Sequence, residues 1–259
     1  LSKEEFHSLG QLLRPSGRQE AGLLLIPGFK CGQEFVAAGG RIELLVLDPD
    51  HVEEIRLALG EEAWTLALEQ DVLRQARPHE LARLADQPNP EGLVLAGRPP
   101  HAFGQRPAAP PQLVLDGVQD PGNLGSMLRT ALWFGMDRVW LTTPCADAWS
   151  PRAIRSSMGA VFHMTDCRSL APGDLVKSLG KWPVRLLGLD AASGTSLGEH
   201  VFTQEDVLVL GSESHGLRLP EKALHTRLRI PGAGLMESLN VGHAMAVCAW
   251  QRWQCLHGA

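Results

Sequence analysis

The chain contains no tyrosine, and its phenylalanines and tryptophans leave it only 5% aromatic. Stacking on a flat ligand therefore falls to Trp, Phe, His or Arg side chains. Cysteine is also sparse: five in 259 residues, at positions 31, 145, 167, 248 and 255, with no C-x-x-C pair. That odd number and wide spacing argue against a disulfide framework and a zinc site, and for a reducing compartment. No apolar run approaches the ~20 residues that span a bilayer, and the opening LSKEEFHSLG lacks the character of a secretion signal. A cytoplasmic protein with neither metal nor membrane partner is expected. A basic excess is missing too. Residues 1–108 carry 11 Lys+Arg against 16 Asp+Glu, and the remainder is balanced at 13 of each. Bulk charge thus gives only modest affinity for phosphate, and any anion recognition must come from locally placed arginines.

What is present is α/β patterning in two parts. GRPPHAFGQRPAAPPQ, residues 97–112, is proline-rich and reads as a semi-rigid linker. Domains are expected over 1–97 and 112–259, with the linker at 98–111. In the first, strands are predicted at 22–28, 41–48, 64–69 and 92–97, with helices at 33–39 and 51–60 and helical turns in DVLRQAR and HELARLAD. In the second, apolar strands at 112–118, 137–143, 184–190, 207–213 and 228–232 alternate with helices at 123–135, 150–162 and about 171–181, a short LPEKALH helix and a long helix over about 238–257. Such alternation predicts a mostly parallel sheet with helices on both faces. Ligands of such sheets gather at the carboxyl ends of the strands.

Three loops at those ends carry chemistry. In DGVQDPGNLGSMLRT, Asn123 occupies a helix N-cap position. Arg129 lies four residues after Gly125, so its side chain leans back over a position with no side chain and can hold a phosphate at the helix mouth. The glycine spacing is not G-x-G-x-x-G, which speaks against a dinucleotide-binding oxidoreductase. In VLVLGSESHGL, Gly211 and Gly216 permit close backbone approach, and Glu213 can accept hydrogen bonds. In PGAGLMESLNVGHAMAVCAW, Ser238 or Asn240 can cap the final helix and leave the other polar group for a ligand. That helix is apolar enough for either a core or a subunit interface.

As an ordered set, Asn123-x-Gly-x-x-x-Arg129, Gly211-x-Glu213-x-x-Gly216 and Ile230-Pro…Glu-Ser238-Leu239-Asn240 resemble the SpoU, or TrmH, family of RNA 2′-O-ribose methyltransferases in the SPOUT superfamily. SPRAIRSSMGA is similar to the family's Arg-x-Ser-x-Gly-Ala segment, with Arg155 and Ser157 in place as RNA-binding residues. Residues 19–97 more weakly resemble the L30e-like substrate-binding domain that precedes the catalytic domain in many members. The resemblance implies a trefoil-knotted C-terminus, S-adenosylmethionine as cofactor and a homodimer formed through the C-terminal domain. Cofactor contacts are then expected at Leu189, Gly211, Ile230 and Leu239, and a catalytic side from Arg129, Glu213, Ser238 and Asn240 with Asn123 in support. It implies 2′-O-methylation of RNA, with ribosomal RNA favoured over tRNA. The alternatives are a tRNA 2′-O-methyltransferase or a catalytically silent knotted RNA-binding protein.

Overall fold

The computed structural model describes residues 1–100, 109–212 and 215–258. Glu213 and most of the expected linker lie outside them. The described residues fall into two compact units, one formed by residues 1–100 together with Asp147–His163, the other by residues 109–146 and 164–258.

In chain order the first hundred residues give α1 (Lys3–Gln11), α2 (Pro15–Ala21), β1 (Leu24–Pro27), α3 (Phe29–Ala37), β2 (Arg41–Leu47), α4 (Val52–Leu59), α5 (Glu61–Glu69), β3 (Leu73–Gln75), α6 (Pro78–Leu84) and β4 (Leu93–Arg98). The remainder gives β5 (Leu113–Asp116), α7 (Pro121–Trp133), β6 (Arg138–Thr142), α8 (Pro151–Ser156), β7 (Asp166–Leu170), α9 (Pro172–Leu179), β8 (Arg185–Leu189), β9 (Thr195–Ser196), β10 (Asp206–Gly211), β11 (Thr226–Arg229) and α10 (Val241–His257).

In the first unit the sheet order is β1-β4-β2-β3, with β4 antiparallel to both neighbours and β3 parallel to β2. Helix α1 opens with a reciprocal cap: Ser2 Oγ accepts from the Glu5 N–H (3.1 Å) and Glu5 Oε2 accepts from the Ser2 N–H (2.8 Å). Two elements differ from the sequence reading. The strand expected over 64–69 is the helix α5, whose inward residues Trp64 and Ala67 stand three apart, the helical period. The helical turn expected in DVLRQAR holds β3, because pairing with β2 outweighs local preference there.

The segment Asp147–His163, from the back half of the sequence, is built into this unit. Ile154, Val161 and Phe162 are fully buried, and Phe162 meets Phe35 edge-on at 5.2 Å. Arg18, itself buried, donates to the Leu12 carbonyl (2.6 Å) and pairs with Asp147. His163 Nε2 lies 2.8 Å from Glu34 Oε2. Each fully buried side chain of this size contributes about 1.5–3 kcal/mol.

The second unit is a seven-stranded sheet in the order β7-β6-β5-β10-β8-β11-β9, and every pairing in it is parallel. Strand β5 is buried along its whole length and β10 up to its last residue. This is why they read as continuous apolar runs rather than alternating ones. Strand β7 was not expected. It is a polar edge strand, held where the Trp140 indole donates to Asp166 Oδ2 (2.8 Å) and Arg168 Nε to Asp166 Oδ1 (2.6 Å). Helix α10 packs on α7 and starts at Val241, three residues after its expected start.

Candidate active site

Three adjacent strands, β10, β8 and β11, end at the same edge of the parallel sheet, and the loops that follow them enclose a cavity of about 480 Å³. Leu189 and Asp190 line it after β8, Leu210, Gly211 and Ser212 after β10, and the 229–239 loop after β11. Leu189, Gly211, Ile230 and Leu239, the four residues expected to touch the cofactor, all line it, and so does Ser238. Volumes of this order suit a small organic ligand.

Glycine makes the cavity possible. A Cβ on Gly211 would run into the Gly216 carbonyl, so the chain can fold back here only without a side chain. Ser212 and Gly216 exchange backbone hydrogen bonds across that turn (3.2 and 2.8 Å). On the opposite wall, Asp190 Oδ1 accepts from the N–H groups of Ala192 (2.8 Å) and Ser193 (2.9 Å), while Oδ2 pairs with Arg227. Burial pushes the Asp190 carboxyl up, but those N–H groups and the guanidinium outweigh it and hold the group below its usual range. Arg227 is itself held by Glu221. Asp190 and Arg227 escaped the sequence reading because no motif marks them.

Of the remaining expected residues that the structure describes, Asn123, Arg129 and Asn240 stand outside the lining. The N-cap of α7 is Asp120, not Asn123: Asp120 Oδ1 accepts from the Asn123 N–H (2.8 Å), with Pro121 at the first helical position. Proline fits there because that N–H has no partner within a helix, which moves the cap back three residues. Arg129 is exposed on α7, and among the described residues its guanidinium has no hydrogen-bond or ion-pair partner. Asn240 caps α10, its Oδ1 accepting from the Gly242 N–H (2.9 Å). Ser238 is exposed on the 231–240 loop.

Arg155 and Ser157, expected to contact RNA, are engaged inside the first unit. Arg155 Nη1 donates to the Ala85 carbonyl (2.8 Å). Ser157 is fully buried and donates to the Ile154 carbonyl (2.8 Å). A buried hydroxyl must find an acceptor, and here the local helix end supplies it, so Ser157 has a structural use in this arrangement.

Asp116 is a further residue the motifs did not mark. It ends β5 with no exposure, paired in register with Gly211. Its Oδ1 accepts from Thr142 Oγ1 (2.7 Å), and its Oδ2 accepts from the N–H groups of Arg218 and Leu219. An aspartate closing an apolar strand was its only trace in the sequence.

The model of the SpoU rRNA Methylase family matches residues 110–250, more than half of the chain. The chain belongs to this family. Over 142 residues it is 37% identical to the 23S rRNA (guanosine(2553)-2′-O)-methyltransferase of Bacillus subtilis, covering 53% of this chain and 56% of that one. The chain spans between half and two thirds of the length of several curated relatives it matches. A TrmH-family protein from Porphyromonas gingivalis superposes with a TM-score of 0.77 at 28% identity, over 97% of this chain and 98% of that one. The SpoU methyltransferase AviRb from Streptomyces viridochromogenes, solved with the cofactor AdoMet, superposes with a TM-score of 0.77 at 23% identity over 98% of both. Among the described residues no helix is long and apolar enough to cross a membrane, and no group of His, Cys, Asp or Glu forms a metal site.

Proposed function

We propose that this family member is an S-adenosylmethionine-dependent RNA 2′-O-methyltransferase of the cytoplasm, acting on ribosomal RNA in preference to tRNA. The observation that carries the reading is the glycine-walled cavity at the carboxyl ends of β8, β10 and β11, with Leu189, Gly211, Ile230 and Leu239 on its walls. The residues fit the cofactor: backbone and aliphatic walls suit an adenosine, and the glycine turn at 211–216 leaves room for close backbone approach. Bound there, S-adenosylmethionine would supply an activated methyl group on a sulfonium, a good leaving group.

The chain's task is then to position a ribose hydroxyl and lower the cost of its deprotonation. A guanidinium is a cation with no acceptor to offer, so the role of Arg129 is to bind an adjacent phosphate and stabilise developing negative charge on the 2′-oxygen. Ser238, on the cavity wall, and Asn240, the N-cap of α10, orient the ribose, with Glu213 completing the catalytic side and Asn123 in support. The ribosomal preference rests on the front domain and on the rRNA enzymes among the relatives.

The knotted C-terminus and the homodimer belong to the same proposal. Helix α10 leaves Val247 and Trp250 half-exposed, with Trp250 stacked on Trp253 (5.6 Å). Trp133 on α7 is 82% exposed. An apolar face of this kind suits a second copy of the chain.

The test is methyl transfer from labelled S-adenosylmethionine to unmodified ribosomal RNA and, separately, to unmodified tRNA. Incorporation into ribosomal RNA as alkali-resistant dinucleotides is expected. Arg129→Ala should lower the rate by about a hundredfold or more while cofactor affinity, read by calorimetry, stays the same. Loss of the cofactor site in that variant would overturn the assignment. Cofactor binding without transfer to either RNA would favour the silent RNA-binding alternative.

A further inference from the structure

The cavity and the helix that bears Arg129 belong to different loops, and one buried carboxylate ties both together. Asp116 has no exposure, and each of its oxygens is committed. Oδ2 accepts from the Arg218 and Leu219 N–H groups, at the end of the turn that contributes Ser212 and Gly216 to the cavity wall. Oδ1 accepts from the Thr142 hydroxyl, and Thr142 Oγ1 in turn accepts from the Gly117 N–H (3.0 Å). Gly117, at φ +75°, begins the turn that leads to Asp120 and α7. A second tie supports that turn, with the Val118 N–H donating to Cys145 Sγ and the Cys145 thiol to the Leu115 carbonyl (both 3.2 Å).

From these contacts we infer that Asp116 is a positioning residue: through one oxygen it holds the wall of the cofactor cavity, and through Thr142 it holds the turn that sets α7 and Arg129. The inference rests on the functional reading above for what the two arms serve. A charge-assisted bond to backbone N–H is about twice as strong as a neutral one, and a buried donor left without its acceptor is costly. The carboxylate therefore fixes both loops more tightly than an amide in its place. The two arms are separable, because Thr142 serves only the Gly117 side.

The test uses the full chain with Asp116→Asn, Thr142→Val and Thr142→Ser, read by amide hydrogen exchange, calorimetric S-adenosylmethionine binding and steady-state kinetics. Asp116→Asn is expected to cut protection at Arg218 and Leu219 roughly tenfold and to raise both Kd and KM for the cofactor roughly tenfold. Thr142→Val is expected to cut protection at Gly117 and lower kcat several-fold with KM for the cofactor unchanged, and Thr142→Ser to restore both. Unchanged protection at Arg218 and Leu219 in Asp116→Asn, or parallel shifts of KM and kcat in Thr142→Val, would overturn the inference. Should Asp116→Asn fail to fold, the Thr142 pair decides it by the same split. A wild-type chain that takes up no cofactor sinks the functional reading instead, and the exchange pattern still decides whether Asp116 holds the two loops.

Discussion

The two edges of the seven-stranded sheet each bury an aspartate, on the neighbouring strands β5 and β10, and use it differently. At the amino edge, Asp206 is 1% exposed, and its partners are mainly side chains. Arg185 donates through Nε (2.7 Å) and Nη2 (2.9 Å), His200 Nε2 lies at 3.2 Å, and the Thr203 N–H donates at 2.9 Å. At the carboxyl edge, Asp116 meets backbone N–H groups and one hydroxyl. The first arrangement clamps long side chains onto the end of a strand. The second fixes the path of loops that line a cavity. A carboxylate bonded to backbone sets where loops lie, whereas one bonded to flexible cations mainly seals an edge.

Three substitutions sharpen that contrast. The largest effect is expected from Asp206→Ala, which strands the Thr203 N–H and leaves Arg185 with the Thr203 hydroxyl but no carboxylate. A loss of about 3 kcal/mol is anticipated in urea unfolding, with cofactor affinity in the folded fraction unchanged. A matching loss of affinity would show that the amino edge also shapes the site. Gly211→Ala should follow, because the added methyl must push the Gly216 backbone aside. About 1–3 kcal/mol of stability and most of the cofactor affinity should be lost, and calorimetry showing native affinity would mean that the 211–216 turn is not a cavity wall.

The smallest effect is expected at Arg227→Gln. The folded Asp190 carboxyl lies below its ordinary value, so it contributes stability above an unfolded pKa of about 3.9 that is lost as pH falls through the folded value. Removing the guanidinium should lower stability by under about 1 kcal/mol at neutral pH. That gap should begin to narrow below about pH 4 and close only as the pH falls through the lowered folded value of Asp190 in the wild type. A gap as wide at about pH 2 as at pH 7, measured as the difference in Tm, would show that Arg227 acts by packing rather than charge.

Much of the fold was legible because the parallel strands are buried on both faces and so are written as apolar runs such as LVL in β5 and VLVL in β10. The elements that escaped are those whose identity depends on a neighbour. Strand β3 is paired with β2 across about thirty residues of chain, β7 is a polar edge, and α5 carries a pattern short enough to fit either period. The site divides in the same way. Leu189, Gly211, Ile230 and Leu239 were legible by family resemblance and gather on one cavity, while Asp116, Asp190 and Arg227 were not, since each depends on a hydrogen bond to a residue at least 26 positions away.

The sequence by itself therefore determined the α/β class, the parallel sheet, the glycine turns and the family, because burial and backbone freedom are recorded in residue type. Only the tertiary structure decided that Asp120 caps α7, that Asp147–His163 joins the first unit and seals Ser157 within it, and that one aspartate serves two loops. Those outcomes rest on which donors meet which acceptors once the chain is folded, and linear order does not encode that pairing.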